Sequence, residues 1–317
     1  MIKFKYNYPL HITLFLITFF TATIAGVQWR NIADSFELIN FKLGLEYSIS
    51  LLFIIGCHEF GHFFASRYHR VETTLPFFIP FPPIPGVLNF GTFGAVIKTK
   101  NPIPDNIAMF DIGAWGPISG FIASLIVLIW GFTHLPSIDY IFQIHPEYII
   151  TGIPEWGLRF GNTLLYSLFV KIATIFGAGF IPPMNEVYHY PYLCTGWFGL
   201  FITAMNLLPI GQLDGGHIFY SMFGARAQKL TARIAFIILL SLGLLGFLPL
   251  IDIDVSFAWA GWFLWAILLF FVVKLDHPEI PNFVFLDRRR TMIGWICIII
   301  FIVSFSFNPF SLPEGPP

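Results

Sequence analysis

Charge is what this chain has least of. Asp, Glu, Lys and Arg make up 11% of its 317 residues against 56% hydrophobic ones, too few to cover a soluble domain with polar surface. A mean hydropathy of +0.75 agrees, and the chain reads as a multi-pass membrane protein. Neither sign of charge dominates: the net charge of −1 gives no electrostatic case for nucleic acid as a partner. Cysteine is scarce too. Cys57, Cys194 and Cys297 all lie in apolar runs without CxxC spacing, which speaks against a disulfide framework or a thiolate metal site and reads as three small buried hydrophobes. Internal repeats, low-complexity linkers and insertions long enough for a separate soluble domain are lacking, so residues 1–317 read as one integral membrane domain. The first apolar run follows Lys3 and Lys5 and has no small-residue cleavage signature behind it, so a retained span is expected rather than a signal peptide.

What the chain has is oil. Runs long enough to cross a bilayer fall at about 10–29, 43–66, 108–133, 193–213, 232–250, 255–273 and 291–308. A weaker run at 158–180 carries Asn162, Ser167 and Lys171 and could span, re-enter or lie in the interface. Loop charge bears on this, because Lys and Arg favour the cytoplasmic side. Arg67 and Arg70, Arg226 and Lys229, and Lys274 with Arg288, Arg289 and Arg290 belong inside, whereas 134–157 and 251–254 carry only acidic charges and fit outside. The resulting expectation is an all-α polytopic protein of about seven transmembrane helices, N-terminus inside, with 158–180 re-entrant or interfacial. Between the second and third spans, the proline density of TLPFFIPFPP rules out helix. Val87 to Thr99 is rich in β-branched and aromatic residues, with Gly91 and Gly94 as bulge or close-approach points, and reads as a small membrane-associated β-sheet or, alternatively, an amphipathic loop.

Inside the second run stands GCHEFGHFFA, residues 56–65. His58 and His62 are four apart, about 40° from one another on a helix, so both imidazoles can reach one metal ion. Glu59, rotated by about 100°, can touch a water at that metal without being forced to ligate it. This is the HExxH arrangement, in which zinc acidifies a water and the glutamate takes its proton. Histidines can also bond between helices and a glutamate can be neutral there, but each charged group in hydrocarbon costs about 2.5 kcal/mol or more, which favours a functional reason.

A second signal is NLLPIGQLDGGH, residues 206–217. Asp214 ends an apolar run on the same side as the two histidines, and two histidines plus a carboxylate, with water as fourth ligand, form the open site of catalytic zinc. Gly215 and Gly216 read as helix-stop residues after it. The amide of Asn206 could hydrogen-bond a substrate backbone or an oxyanion, or another helix. His217, three beyond Asp214, is a further candidate for orienting the carboxylate. Gly116 and Gly120 in GPISG have the spacing of close helix packing, and Asp111 reads as interfacial. His11, His69, His134, His145, His189 and His277 receive no role. Trp29, Trp130, Trp156 and Trp197 fit an aromatic belt.

HEFGH in an early membrane helix, followed by FGTFGAVI, GPISGF and NLLPIGQLDGG, resembles the site-2 protease family of intramembrane zinc metalloproteases, in its branch without a PDZ domain, over roughly residues 43–230. The resemblance implies one Zn2+ per chain on His58, His62 and Asp214, Glu59 as general base and acid, and Asn206 holding the substrate chain. It also implies a catalytic core at about 43–230 with accessory helices at 232–308. The strand around Gly91 and Phe93 would pair with an unwound transmembrane segment of a substrate protein, which has independent sense because a strand edge can accept backbone groups freed by unwinding. The expected setting is a bacterial inner membrane, with the site facing the cytoplasm and the proline-rich 76–85 loop as a lid. The rival readings are an ion or solute transporter using the same polar residues, and a catalytically inactive binding scaffold. The loop-charge argument makes 134–192 begin and end outside, so a reporter fused near Asn185 is expected to read as extracytoplasmic; a cytoplasmic signal would break the arrangement.

Overall fold

The computed structural model describes residues 7–32, 35–82, 84, 89–251, 253, 255–280 and 282–312. Helix α1, Tyr8–Trp29, begins with a proline in its first turn, where the missing N–H costs no hydrogen bond. The short α2, Leu38–Phe41, passes through a 3-10 turn into α3, Leu45–Tyr68. Strands β1, Phe77–Pro80, and β2, Thr92–Val96, form an antiparallel pair. The long α4, Asn106–Thr133, starts at Asp105, whose carboxylate accepts the Ala108 N–H at 2.7 Å. Then come α5, Asp139–Ile144; α6, Tyr148–Thr151; β3, Arg159–Phe160; and α7, Leu164–Ile175. The chain closes with α8, Pro191–Asn206; α9, Asp214–Leu245; α10, Gly261–Leu268; α11, Arg288–Ser304; and β4, Phe310–Ser311, which pairs with β3.

Among the described residues, four stretches are long and apolar enough to cross a membrane: Tyr8–Trp29, Leu38–Tyr68, Asn106–Thr133 and Asp214–Ile251. The protein is thus an integral membrane protein, mostly helical, with a small two-stranded sheet. The expected fourth span, 193–213, is divided: α8 ends at Asn206, Pro209 and the positive φ of Gly211 (52°) make the turn, and a new helix starts at Asp214. That helix absorbs the expected 232–250 span and carries Arg226 and Lys229 within it rather than in a loop, bending at Gly224, where φ is 81°. The expected 255–273 span is the 8-residue α10 continued by a π turn over Leu269–Val273. Helix α7 has only 12 residues, about 18 Å, too short for a crossing of hydrocarbon.

Lipid offers no hydrogen bonds, so packing relies on small residues and on polar groups that answer one another. Thr23 of α1 donates to Ser48 of α3 at 2.8 Å, and Ser50 of α3 meets Thr195 of α8 at 2.8 Å, both buried. Gly61 lets α3 lie against the Trp115 carbonyl of α4, where a Cβ would overlap backbone. Trp29 and Trp197, expected in an aromatic belt, are instead core: with Phe160, Phe198 and Phe310 they form a buried aromatic cluster. Trp130 and Trp156 are exposed as a belt requires. Cys194 and Cys297 are buried, Cys57 is half-buried, and all three are free.

Asp111, read as interfacial, is paired within the protein. It is buried in α4, accepts from Arg290 Nε at 2.9 Å and Nη2 at 2.7 Å, and meets His69 Nε2 at 2.6 Å, so one carboxylate ties the start of α11 and the end of α3 to α4. Asp287 caps α11 and pairs with the same guanidinium. Removing the central carboxylate takes its acceptor from His69 and leaves Arg290 with Asp287 alone: Asp111→Ala is expected to lose about 1–3 kcal/mol, read as a lower melting temperature in detergent. An unchanged melting temperature would show that the cluster does not hold these helices.

Candidate metal centre

The second half of α3 faces the first half of α4 and the start of α9. His58 and His62 lie one turn apart on α3 and are buried, and α9 brings Asp214 to them from 152 or more residues further along the chain. The Nε2 atoms of the two imidazoles are 3.1 Å apart, and each is 3.4 Å from Asp214 Oδ2. His62 Nδ1 faces the Ile112 carbonyl at 2.7 Å, which places a hydrogen there and leaves the Nε2 lone pair aimed at the other two groups.

A divalent metal is the natural occupant of that arrangement. A tetrahedral zinc with bonds of about 2.0–2.2 Å separates its ligand atoms by about 3.3–3.6 Å, close to the three separations found. His58, His62 and Asp214 converge three acceptor atoms on one point. Glu59 is buried beside them on α3 and outside that trio, with the backbone of Ile97, one residue beyond β2, within reach of its carboxylate. Asn206, last residue of α8, points its Nδ2 at His58 Nε2, 3.3 Å away.

Several placements differ from the reading of the sequence. Asp214 opens a helix rather than closing one. Gly215 and Gly216 do not stop it; they let its first turn lie against the carbonyls of Leu207 and Gly211, where any Cβ would overlap. Gly116 and Gly120 do more than pack helices. A Cβ on Gly116 would overlap the His62 imidazole, and one on Gly120 would come 3.0 Å from His58 Nδ1, so the two glycines of α4 form the wall against which the imidazoles stand. Their four-residue spacing matches that of the two histidines, a signal already present in the sequence. His217 turns away from Asp214 and pairs with His277, Nδ1 to Nε2, at 2.8 Å. Burial holds His277 below the ordinary imidazole pKa, against a smaller upward pull from the Pro278 carbonyl.

The expected strand 87–99 is present as β2 over Thr92–Val96, and Val87 lies outside the described residues. Its partner β1 occupies the first half of the stretch expected as a lid, with Pro80 at the strand's end; positions 83 and 85 also lie outside the described residues. Gly91 has φ 75° and sits on α1, where a Cβ would overlap Ala22, and its carbonyl accepts from Thr21 Oγ1 at 2.6 Å and from the Phe81 N–H at 3.2 Å. Phe93 is two-thirds exposed and leans on the Phe81 ring.

With these elements in place the chain is a helical membrane protein in which an HExxH stretch and a distant aspartate bring three possible metal-binding groups together. Residues 46–250 match the model of peptidase family M50, and the chain belongs to that family, the site-2 protease family. It is 28% identical over 316 residues to a rice (Oryza sativa subsp. indica) protein named "Probable zinc metalloprotease EGY2, chloroplastic", covering 94% of this chain and 50% of the relative. It is also 30% identical over 211 residues to the Arabidopsis thaliana protein named "Probable zinc metalloprotease EGY1, chloroplastic", covering 67% of this chain and 35% of that protein. The chain thus spans about half the length, or less, of these curated relatives. Their names make zinc the cofactor of the family, and the donor set described above suits it. They are plant proteins named as chloroplastic, which lends no support to a bacterial inner membrane. No solved structure gives a significant match.

If Gly116 and Gly120 shape the site, Gly116→Ala is expected to abolish zinc retention at the His58, His62 and Asp214 centre while leaving the helical circular dichroism unchanged, and Gly120→Ala to weaken it less. Full zinc occupancy in Gly116→Ala would remove the glycines from the account.

Proposed function

We propose that the chain is an intramembrane zinc endopeptidase, hydrolysing a peptide bond within or near the transmembrane segment of another membrane protein. The observation that carries this reading is the convergence of His58, His62 and Asp214 on one point with Glu59 buried alongside. In this reading His58, His62 and Asp214 hold one zinc ion. Bound there, zinc supplies Lewis acidity, which lowers the pKa of a water and polarises the scissile carbonyl. Glu59 takes the proton of the attacking water and returns it to the leaving amine. Asn206 offers its amide N–H to the substrate carbonyl as negative charge develops there. Its place at 3.3 Å from His58 Nε2 supports that role.

The substrate must arrive as an extended chain, since a helix hides its own peptide bonds. Among the described residues β2 pairs with β1 alone, which leaves its other edge for a third strand, and it leads into Ile97 beside Glu59. The unwound segment pairs with that edge. Phe93 presents an apolar surface to its side chains, and Gly91 acts by seating the strand on α1. The arrangement we favour has seven crossings, with α8, the α10 segment and α11 completing the four longest, the N-terminus inside, and the site opening to the cytoplasm. The whole of 1–317 is then one domain, with its catalytic core at 43–230 and the later helices accessory. No observation favours the transporter or scaffold alternatives.

The protein reconstituted in liposomes with a panel of single-pass model substrates is expected to cleave in a zinc-dependent manner. Glu59→Gln should lower the rate by about 10²-fold or more while keeping the metal. His62→Ala should lose the cleavage and the ion at the His58, His62 and Asp214 centre. Cleavage that survives Glu59→Gln would refute the assigned base.

A further inference from the structure

A second convergence of donor atoms lies at the far end of α8. His145, which follows α5, and Glu186 and His189, in the segment preceding α8, bring one donor atom each to within 4.8 Å of one another. The site is separate from the first: α8 runs 16 residues from Pro191 to Asn206, so about 24 Å of helix lies between them. Glu186 and His189 are almost completely buried, at 1% and 2% exposure.

With both rings neutral, the hydrogen bonds leave no proton between the two imidazoles. His189 Nδ1 faces the Trp29 carbonyl at 2.7 Å, and His145 Nδ1 faces the Glu147 carboxylate at 2.9 Å. Both partners accept only, so each Nδ1 carries the hydrogen, and in the neutral ring Nε2 is a bare lone pair. Those two Nε2 atoms point at each other across 3.1 Å. Glu186 adds a third acceptor. Its Oε1 takes bonds from Tyr148 Oη at 3.2 Å and Asn185 Nδ2 at 3.1 Å, whereas Oε2, 3.5 Å from His189 Nε2, is buried and has no hydrogen-bond partner. Three acceptors meeting in a buried space repel unless a proton or a metal ion stands among them. The contacts behind the imidazoles, a carbonyl and a carboxylate on Nδ1, are those that orient metal-binding histidines.

We propose that His145, Glu186 and His189 form a second zinc site, structural rather than catalytic. Two imidazoles and a carboxylate suit zinc. The site includes no HExxH and has no glutamate placed as Glu59 is. Its ligands come from segments that no long helix joins directly, and through the Trp29 carbonyl it reaches the end of α1. The ion therefore fastens the 145–148 segment, the start of α8 and the end of α1 at the opposite end of α8 from the first centre.

The test is metal content of the full chain, purified in detergent, equilibrated with zinc and freed of excess. Wild type is expected to hold two zinc ions per chain, His58→Ala/His62→Ala one, His145→Ala/Glu186→Gln one, and the four-fold variant none. Glu186→Gln keeps the acceptor that Tyr148 and Asn185 use, which limits damage to the fold. As a measurement needing no substitution, an anomalous difference map of the wild type at the zinc edge should show a peak among the three side chains. Wild type with a single zinc that disappears in His58→Ala/His62→Ala, or a map with no peak at 145, 186 and 189, overturns the proposal and leaves a proton shared by the two imidazoles. A zinc that persists in His58→Ala/His62→Ala upholds this site even if no cleavage is ever found.

Discussion

The structure depends on one constraint: a polar atom inside a bilayer must find its partner within the protein, because lipid supplies none. Helix α3 carries His58, Glu59 and His62 in its buried half, and every neighbour is arranged around them. The Ile112 carbonyl receives His62 Nδ1, α9 delivers the Asp214 carboxylate, and α8 ends where Asn206 reaches His58. Each of these partners comes from a different helix. These contacts fix the positions of α4, α8 and α9 relative to α3, with His58 Nδ1 alone of these two histidines' ring nitrogens left without a hydrogen-bond partner, and the site and the fold are specified together.

Glycine makes those approaches possible. Imidazoles are bulky, and a helix facing them with ordinary side chains would stand too far away for its own backbone to reach a ring nitrogen. With Gly116 and Gly120 toward α3, and Gly61 answering from α3, α4 comes close enough for the Ile112 carbonyl to bond His62. The same device recurs at the start of α9, where Gly215 and Gly216 let the helix settle on the preceding turn and carry Asp214 inward. The glycines thus set the separation at which the three donor atoms meet.

The sequence made the first centre legible because its ligands repeat at helical spacing and stand out against hydrocarbon. His58, Glu59 and His62 need only the 3.6-residue period to be placed together, and the LDGG stretch marks the third partner. Helix ends were harder to read. Hydropathy runs smoothly from 193 through 213, but Pro209 and Gly211 break the backbone while staying apolar, so one run became a helix, a turn and the start of another helix. Asp111 looked interfacial because its partner Arg290 lies 179 residues away. Likewise β1 was hidden in a proline-rich stretch whose pairing with β2 depends on contacts across the intervening loop.

His145 and His189 show the limit of such reading most plainly. They are 44 residues apart, at no helical period, in loops where a histidine is ordinarily solvated, and nothing in either local sequence suggests a ligand. Only the fold brings them together, and only the direction of their Nδ1 bonds shows that both Nε2 atoms are acceptors. The two clusters share a chemistry, two imidazoles and a carboxylate, yet differ in what stands beside them. At the first, Glu59 is buried beside the trio and β2 leads into Ile97 next to it, which is why the proposed reading makes Glu59 the base. At the second, the neighbouring groups, Tyr148, Asn185 and the Trp29 carbonyl, only hold the donors in place. It is the proton-transfer group, more than the ligand set, that separates a centre able to hydrolyse from one able only to bind.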